Sequence, residues 1–173
     1  LLSWSMSDTL STTIVLQTVN IAGTDYLQII FFSPWDGGLS QSITHVPGAI
    51  PTSQWIDLVV MYDSSTASNT AQFYVNGSAL ALDSNIAGIG NLYSESGSLF
   101  TLGNELAGYG NPYPYLFNGK YENVAIYNRF LTTAEITEIH NGGTRLPFAS
   151  YPQSGLKFFF GGMGTAEYTA KLD

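Results

Sequence analysis

Between its apolar runs this chain carries aromatic, amide and carboxylate side chains suited to gripping a polar ring. They are Trp35 and Asp36, then Asn91 and Tyr93, then Asn104, Glu105, Tyr109, Asn111, Tyr113 and Tyr115. Aromatic faces stack on the C–H surface of a sugar, while amides and carboxylates bond its hydroxyls. Such groups must be placed in advance, because ordering side chains on binding costs affinity. Six of the ten lie in 103–116, GNELAGYGNPYPYL, a long segment whose path is set by Gly and Pro. Long structured loops in compact domains are often functional. The other reading of this loop is an edge connection whose tyrosines pack back on the body. Trp35 and Tyr113 suit ordinary packing equally well, since aromatics dominate cores as they do interfaces.

Hydrolysis of a glycosidic bond with retention needs two carboxylates about 5 Å apart. Alternate residues of one strand supply that spacing. No E-x-D-x-E or E-x-D-x-x-E run is present, so no catalytic residue is assigned. Glu135 and Glu138 are the nearest acidic pair and read as helix-start and solubility residues. Asp57, alone in QWIDLVVMYD, is expected to face solvent. Calcium takes carboxylate and carbonyl oxygens. Asp83 with Asn85, or Asn104 with Glu105, are its candidate ligands, although a dense acidic loop is missing. No other cofactor is implied. His45 and His140 lie far apart in sequence and do not read as a metal pair. Gly88-Ile89-Gly90 lacks the third glycine of a dinucleotide fingerprint, and neither a P-loop nor a G-x-S-x-G elbow occurs. Asn76-Gly77-Ser78 matches a glycosylation sequon, but a tight turn there already demands Asn-Gly.

The elements that must position these groups are strands. Apolar runs separated by turn signals read as strands over 2–7, 12–19, 26–32, 39–45, 54–62, 71–76, 79–83, 98–103, 119–127 and 155–160. That succession is the mark of an all-β sandwich or barrel. The clearest hairpin is AQFYVNGSALAL, where Asn76-Gly77 suits the type I′ turn that matches strand twist. The chain has 173 residues, 45% hydrophobic and 14% aromatic, enough for one sizeable core. Only 10% are charged, against roughly 25% in an average soluble protein. Neutral polar residues must therefore cover the surface, a habit of secreted adhesins and virion proteins. A net charge of −8 with five Lys plus Arg argues against nucleic acid and anionic membranes. Cysteine is absent, which removes disulfides and thiolate chemistry. No apolar run reaches the length of a membrane span. LLSWSMSD lacks the pattern of a signal peptide and reads like a strand entered mid-stride, so the chain is expected to be a processed product or a segment of a longer one.

The most specific local pattern is FNGKYENVAIYNRFLTTAEITEIHNGG, residues 117–143. Lys120 to Tyr127 alternates with the period of a strand. Thr132 is a helix N-cap, and Glu135 three places on completes a capping box. Leu131 and Ile136 make a hydrophobic staple, Ile136 and Ile139 share a face, and Gly142 or Gly143 is expected to supply the left-handed stop. So short a helix holds only if a larger body pins it.

This arrangement resembles the C-terminal signature of concanavalin A-like domains of the laminin-G type, G-K-I-D-x-V-x-I-Y-N-R-x-L followed by S-x-x-E-I. Gly119, Lys120, Val124, Ile126, Tyr127, Asn128, Arg129, Leu131, Glu135 and Ile136 fall in place, with Glu122 where the family has Asp. FYVNG and QWIDLVVMYD resemble further strands of the same pattern. The resemblance implies an all-β, two-sheet antiparallel jelly-roll sandwich with one short helix near 133–140. It implies a non-catalytic binding or adhesion module, with glycans or neighbouring structural proteins as partners, on an extracellular or virion surface. Decoration of a capsid, tail or surface layer is the second reading, and a glycoside hydrolase the third. A homo-oligomer, or a place in a larger assembly, fits either of the first two. The domain is expected over 1–145. The tail 146–173 contains GLKFFF, similar to the opening strand of such domains. It either completes the sandwich, reaches a neighbour or begins a further domain.

Overall fold

A computed structural model of the chain describes residues 2–5, 13–21, 24–35, 38–47, 54–63, 70–82, 84–86, 99–102 and 120–161. Side chains are described over 54–63, 70–82 and 120–161, and backbone alone elsewhere. Among the described residues every strand pairing is antiparallel.

The largest sheet has six strands. They are β1 (Leu2–Ser5), β2 (Thr13–Ile21), β3 (Thr24–Trp35), β4 (Gly38–Pro47), β8 (Ser84–Ile86) and β9 (Leu99–Leu102), in the order β8-β4-β3-β2-β1-β9. β5 (Leu58–Met61), β6 (Gln72–Val75) and β7 (Ser78–Ala79) form a three-stranded sheet. β10 (Val124–Tyr127) pairs with β11 (Leu156–Phe160). The GLKFFF segment thus adds a strand beside the one that leads into the helix.

Each of the ten strands read from the sequence overlaps an observed one. The structure adds β8, too short and too polar for an alternation pattern to reveal, and held by pairing to β4 through Ile43↔Ile86 and His45↔Ser84. It also trims three expectations. The strand read over 119–127 begins at Val124, because Asn123 is left-handed at φ 52° and cannot lie in a ladder. The one read over 79–83 is Ser78–Ala79, and the one read over 54–62 is Leu58–Met61.

The single α-helix among the described residues, α1 (Thr133–His140), starts as its sequence demands. Thr132 accepts from the Glu135 backbone, Glu135 answers to the Thr132 backbone, and both halves of the capping box are present. Its end differs from the expectation. The left-handed residue at the stop is Asn141 (φ 42°), with Gly142 and Gly143 also at positive φ behind it. Asn tolerates this region because its short side chain bonds locally, here from Nδ2 to Thr144 O at 3.3 Å.

α1 sits on the three-stranded sheet. Ile136 (1% exposed), Leu131 and Met61 form a buried cluster, with Val59, Tyr74, Tyr127 and Ile139 packed around it. Val59 faces Tyr74 across the β5–β6 ladder. Phe73 and Ala71, on alternate positions of the opposite face, are also buried, so this sheet is covered on both sides.

Candidate functional site

Of the sequence-predicted ligand residues, only Trp35 and Asn85 fall among the described ones, both as backbone. Asp36, Asn91, Tyr93, Asn104, Glu105, Tyr109, Asn111, Tyr113, Tyr115 and Asp83 lie outside them. Strand register nevertheless fixes where the chain enters and leaves each of these segments. One row of partners crosses the whole six-stranded sheet: Leu102, Leu2, Leu16, Ile29, Thr44, Asn85. Trp35 is at the tip of β3, opposite Gly38, six residues from Ile29. That is about 20 Å along the strand.

The chain leaves β8 at Ile86, whose partner Ile43 is one step from that row toward Trp35. It enters β9 at Leu99, opposite Ser5, again on the Trp35 side of the row. The connection carrying Asn91 and Tyr93 therefore starts and finishes on the half of the sheet that holds the Trp35 turn. β9 then runs back and ends at Leu102, opposite Leu2, heading for the end where Ile21 pairs with Thr24. The segment bearing Asn104 to Tyr115 follows it. Asn85 lies on edge strand β8, and β9 is the opposite edge of the sheet, about 24 Å away across five strand spacings. Sequence spacing carried no sign of this strand order.

Where side chains are described, Asp57, Glu122 and Glu135 are each paired with a basic group. Glu135 takes both arms of the Arg129 guanidinium, with Nη1 donating to Oε2 at 2.9 Å and Nη2 to Oε1 at 2.5 Å. Arg129 also donates from Nε to Ser154 O (2.8 Å) and from Nη1 to Phe130 O (2.9 Å). Its guanidinium carbon is 5.9 Å from the centroid of the Tyr127 ring. One arginine thus ties the start of α1 to the turn that enters β11. The sequence read Glu135 as a helix-start and solubility residue; its pairing with Arg129 was visible only as two letters of the family pattern. The Arg129 fork, aided by the Thr132 backbone, pulls the Glu135 carboxyl down to about 2.

Asp57 keeps 40% of its side chain exposed, as expected of a solvent-facing position, but it also has partners that its isolation in the sequence did not suggest. His140 Nδ1 donates to its Oδ2 at 2.6 Å, the Asp57 N–H donates to Asn76 Oδ1 at 3.0 Å, and Asn76 N–H returns to Asp57 O at 2.9 Å. The end of α1, the approach to β5 and the β6–β7 turn meet here, with Gly77 close against the His140 ring. Glu122 pairs with Arg145 at 2.9 Å. The Tyr127 hydroxyl is enclosed without a hydrogen-bond partner, and burial lifts both it and Tyr121 to about 12.

Among the described residues no three His, Asp or Glu side chains converge on a metal position, and no helix is long and apolar enough to cross a membrane.

The Glu135 pairing has a sign that can be tested. Its folded value, about 2, lies below its ordinary 4.5. The stabilisation is therefore complete above the ordinary value and is lost as pH falls toward the lower one. Acid titration of stability should show a slope in that window, and Glu135→Gln should flatten it. An unchanged slope in the variant would assign acid sensitivity to other groups.

Residues 8–137 match the laminin-G type 3 family model, described as the concanavalin A-like lectin/glucanases superfamily. No curated protein and no solved structure gives a significant match.

Proposed function

The chain belongs to the concanavalin A-like lectin/glucanase superfamily, with a β-sandwich as its fold, and from that premise we propose a non-catalytic binding module whose ligands are glycans. The jelly-roll connection of its sheets is part of the same reading, as is a place on an extracellular or virion surface. The observation that carries it is the convergence of the Trp35 turn and the two ends of the 87–98 connection on one half of the six-stranded sheet. Trp35 with Asp36, and Asn91 with Tyr93, are the stacking and hydrogen-bonding groups that a sugar needs. The pairing of Asp57, Glu122 and Glu135 with His140, Arg145 and Arg129 supports a structural duty for those acids. Calcium, if used, would be held by Asp83 with Asn85 or by Asn104 with Glu105.

The test is a broad glycan panel probed with the whole protein. Binding to one glycan class is expected, with Trp35→Ala and Tyr93→Ala each weakening it about tenfold, the factor that about 1.4 kcal/mol carries. No binding anywhere on the panel would remove glycans as the ligand.

A second reading, a decoration protein that contacts protein neighbours, draws on the low charge content and the two edge strands β8 and β9. Crosslinks from either edge to a neighbouring subunit in the parent particle would favour it. The hydrolase reading ranks last. Glycan turnover abolished by changing a single glutamate would revive it.

A further inference from the structure

The described part of the chain holds two Asn-Gly dipeptides, Asn76-Gly77 and Asn141-Gly142, and the structure treats them differently. Asn-Gly is the peptide sequence most open to a spontaneous reaction, because glycine puts no side chain in the way. The backbone nitrogen of glycine loses its proton to solvent base and attacks the Asn Cγ. The new N–C bond closes a succinimide ring, and Nδ2 leaves as ammonia. Water then opens the ring at one carbonyl or the other, giving Asp or isoaspartate. The only co-reactant is water. The attacking nitrogen must swing over Cγ, so the Asn ψ angle and the side chain both have to turn.

Both asparagines are exposed and both are left-handed, Asn76 at φ 50° and Asn141 at φ 42°. Exposure and starting conformation therefore do not separate them; their tethers do. Asn76 is fastened twice to Asp57, through its side-chain Oδ1 at 3.0 Å and its backbone N–H at 2.9 Å. It is flanked by the paired residues Val75↔Ser78 and Tyr74↔Ala79. Gly77 lies against the His140 ring, a Cβ at that position falling 3.3 Å from its Cδ2. Turning Asn76 would break the β6–β7 ladder and drive Gly77 into the imidazole.

Asn141 is held at a helix end, where its N–H donates to Thr137 O. Its side chain gives one long bond, 3.3 Å to Thr144 O, and its carbonyl accepts from Thr144 N at 3.2 Å. Around Gly142 nothing lies within 4 Å of the Cβ position. Helix ends open locally at little cost, whereas paired turns open with the element that holds them. We infer that Asn141 is a site of spontaneous deamidation and isomerisation, and that Asn76 is shielded from the same reaction by its hairpin. The product places a carboxylate at the negative end of α1, next to the His140–Asp57 contact, where charge is unfavourable.

The experiment ages the whole protein at mildly alkaline pH and maps peptides by mass, with an isoaspartate-specific repair methyltransferase as the second readout. Conversion at Asn141 at least tenfold faster than at Asn76 is expected. Gly142→Ala, whose methyl group meets open space, should slow the Asn141 reaction severalfold in a protein that still folds. Equal rates at the two sites, faster reaction at Asn76, or no reaction at Asn141 would each overturn the inference. Asp57→Ala removes only the carboxylate that meets His140 and leaves both backbone bonds to Asn76 in place, so Asn76 should stay slow. A rise toward the Asn141 rate in this variant would show that those backbone bonds are not the shield.

Discussion

Ile136→Ala is expected to lower the free energy of unfolding by about 2–5 kcal/mol, the range for truncating a well-enclosed aliphatic side chain. Ile136 is 1% exposed and meets Leu131 and Met61, so the methyl groups removed have protein on all sides. The cost combines lost transfer energy with the cavity left behind. A typical domain has only about 5–15 kcal/mol in total, so the loss is a large share. Chemical denaturation read by tryptophan fluorescence measures it. The helix is too short to persist unpinned, so amide exchange over α1 should rise with the global loss. A change under about 0.5 kcal/mol, below the usual cost of even Ile→Val, would mean that Ile136 is not the anchor of α1.

Gly155→Ala is expected to be the second most damaging change. Gly155 has φ 73°, and left-handed backbone costs an alanine about 1–2 kcal/mol. In addition, a Cβ there would lie 2.9 Å from Arg129 Cγ and 2.9 Å from Asn128 Oδ1. The exposed Asn128 amide can turn aside, but the Arg129 stem is held. Asn128 N–H donates to Gly155 O at 2.9 Å, and Arg129 is fixed by Ser154 and Glu135. The methyl group must therefore pry the entry to β11 away from β10. Gly142→Ala is the natural control. It has a similar φ of 63° and open space around it, so it carries the conformational part alone. The melting temperature should fall further for Gly155→Ala than for Gly142→Ala, with lost amide protection confined to β10 and β11. Equal falls would show that the contact with Arg129 adds nothing.

These positions differ in how legible they were. Ile136 follows from sequence, since a cap, a staple residue and a second isoleucine three places on leave one face for burial. Gly155 does not, because its constraint comes from Arg129, 26 residues earlier, and only the pairing of β11 with β10 brings the two together. The partner of Asp57 was missed for the same reason. His140 lies 83 residues away, and an isolated acid in a strand gives no hint of an imidazole waiting on a helix end. β8 escaped because three residues, Ser84–Ile86, are too few to show a period of two.

Local rules settle what local geometry governs. The capping box at Thr132 and Glu135, the Asn76-Gly77 turn and the alternation of β2 and β3 are each decided within a few residues, where backbone sterics and side-chain reach act. The family signature adds fold class because its spacing encodes one strand, one cap and one staple in fixed order. Which loops share an end of the sheet, which carboxylate meets which cation, and which of two identical Asn-Gly pairs is tethered are decided by strand order and register. Those are long-range pairings whose energies depend on contacts that no window of sequence contains, so only the folded chain could assign them.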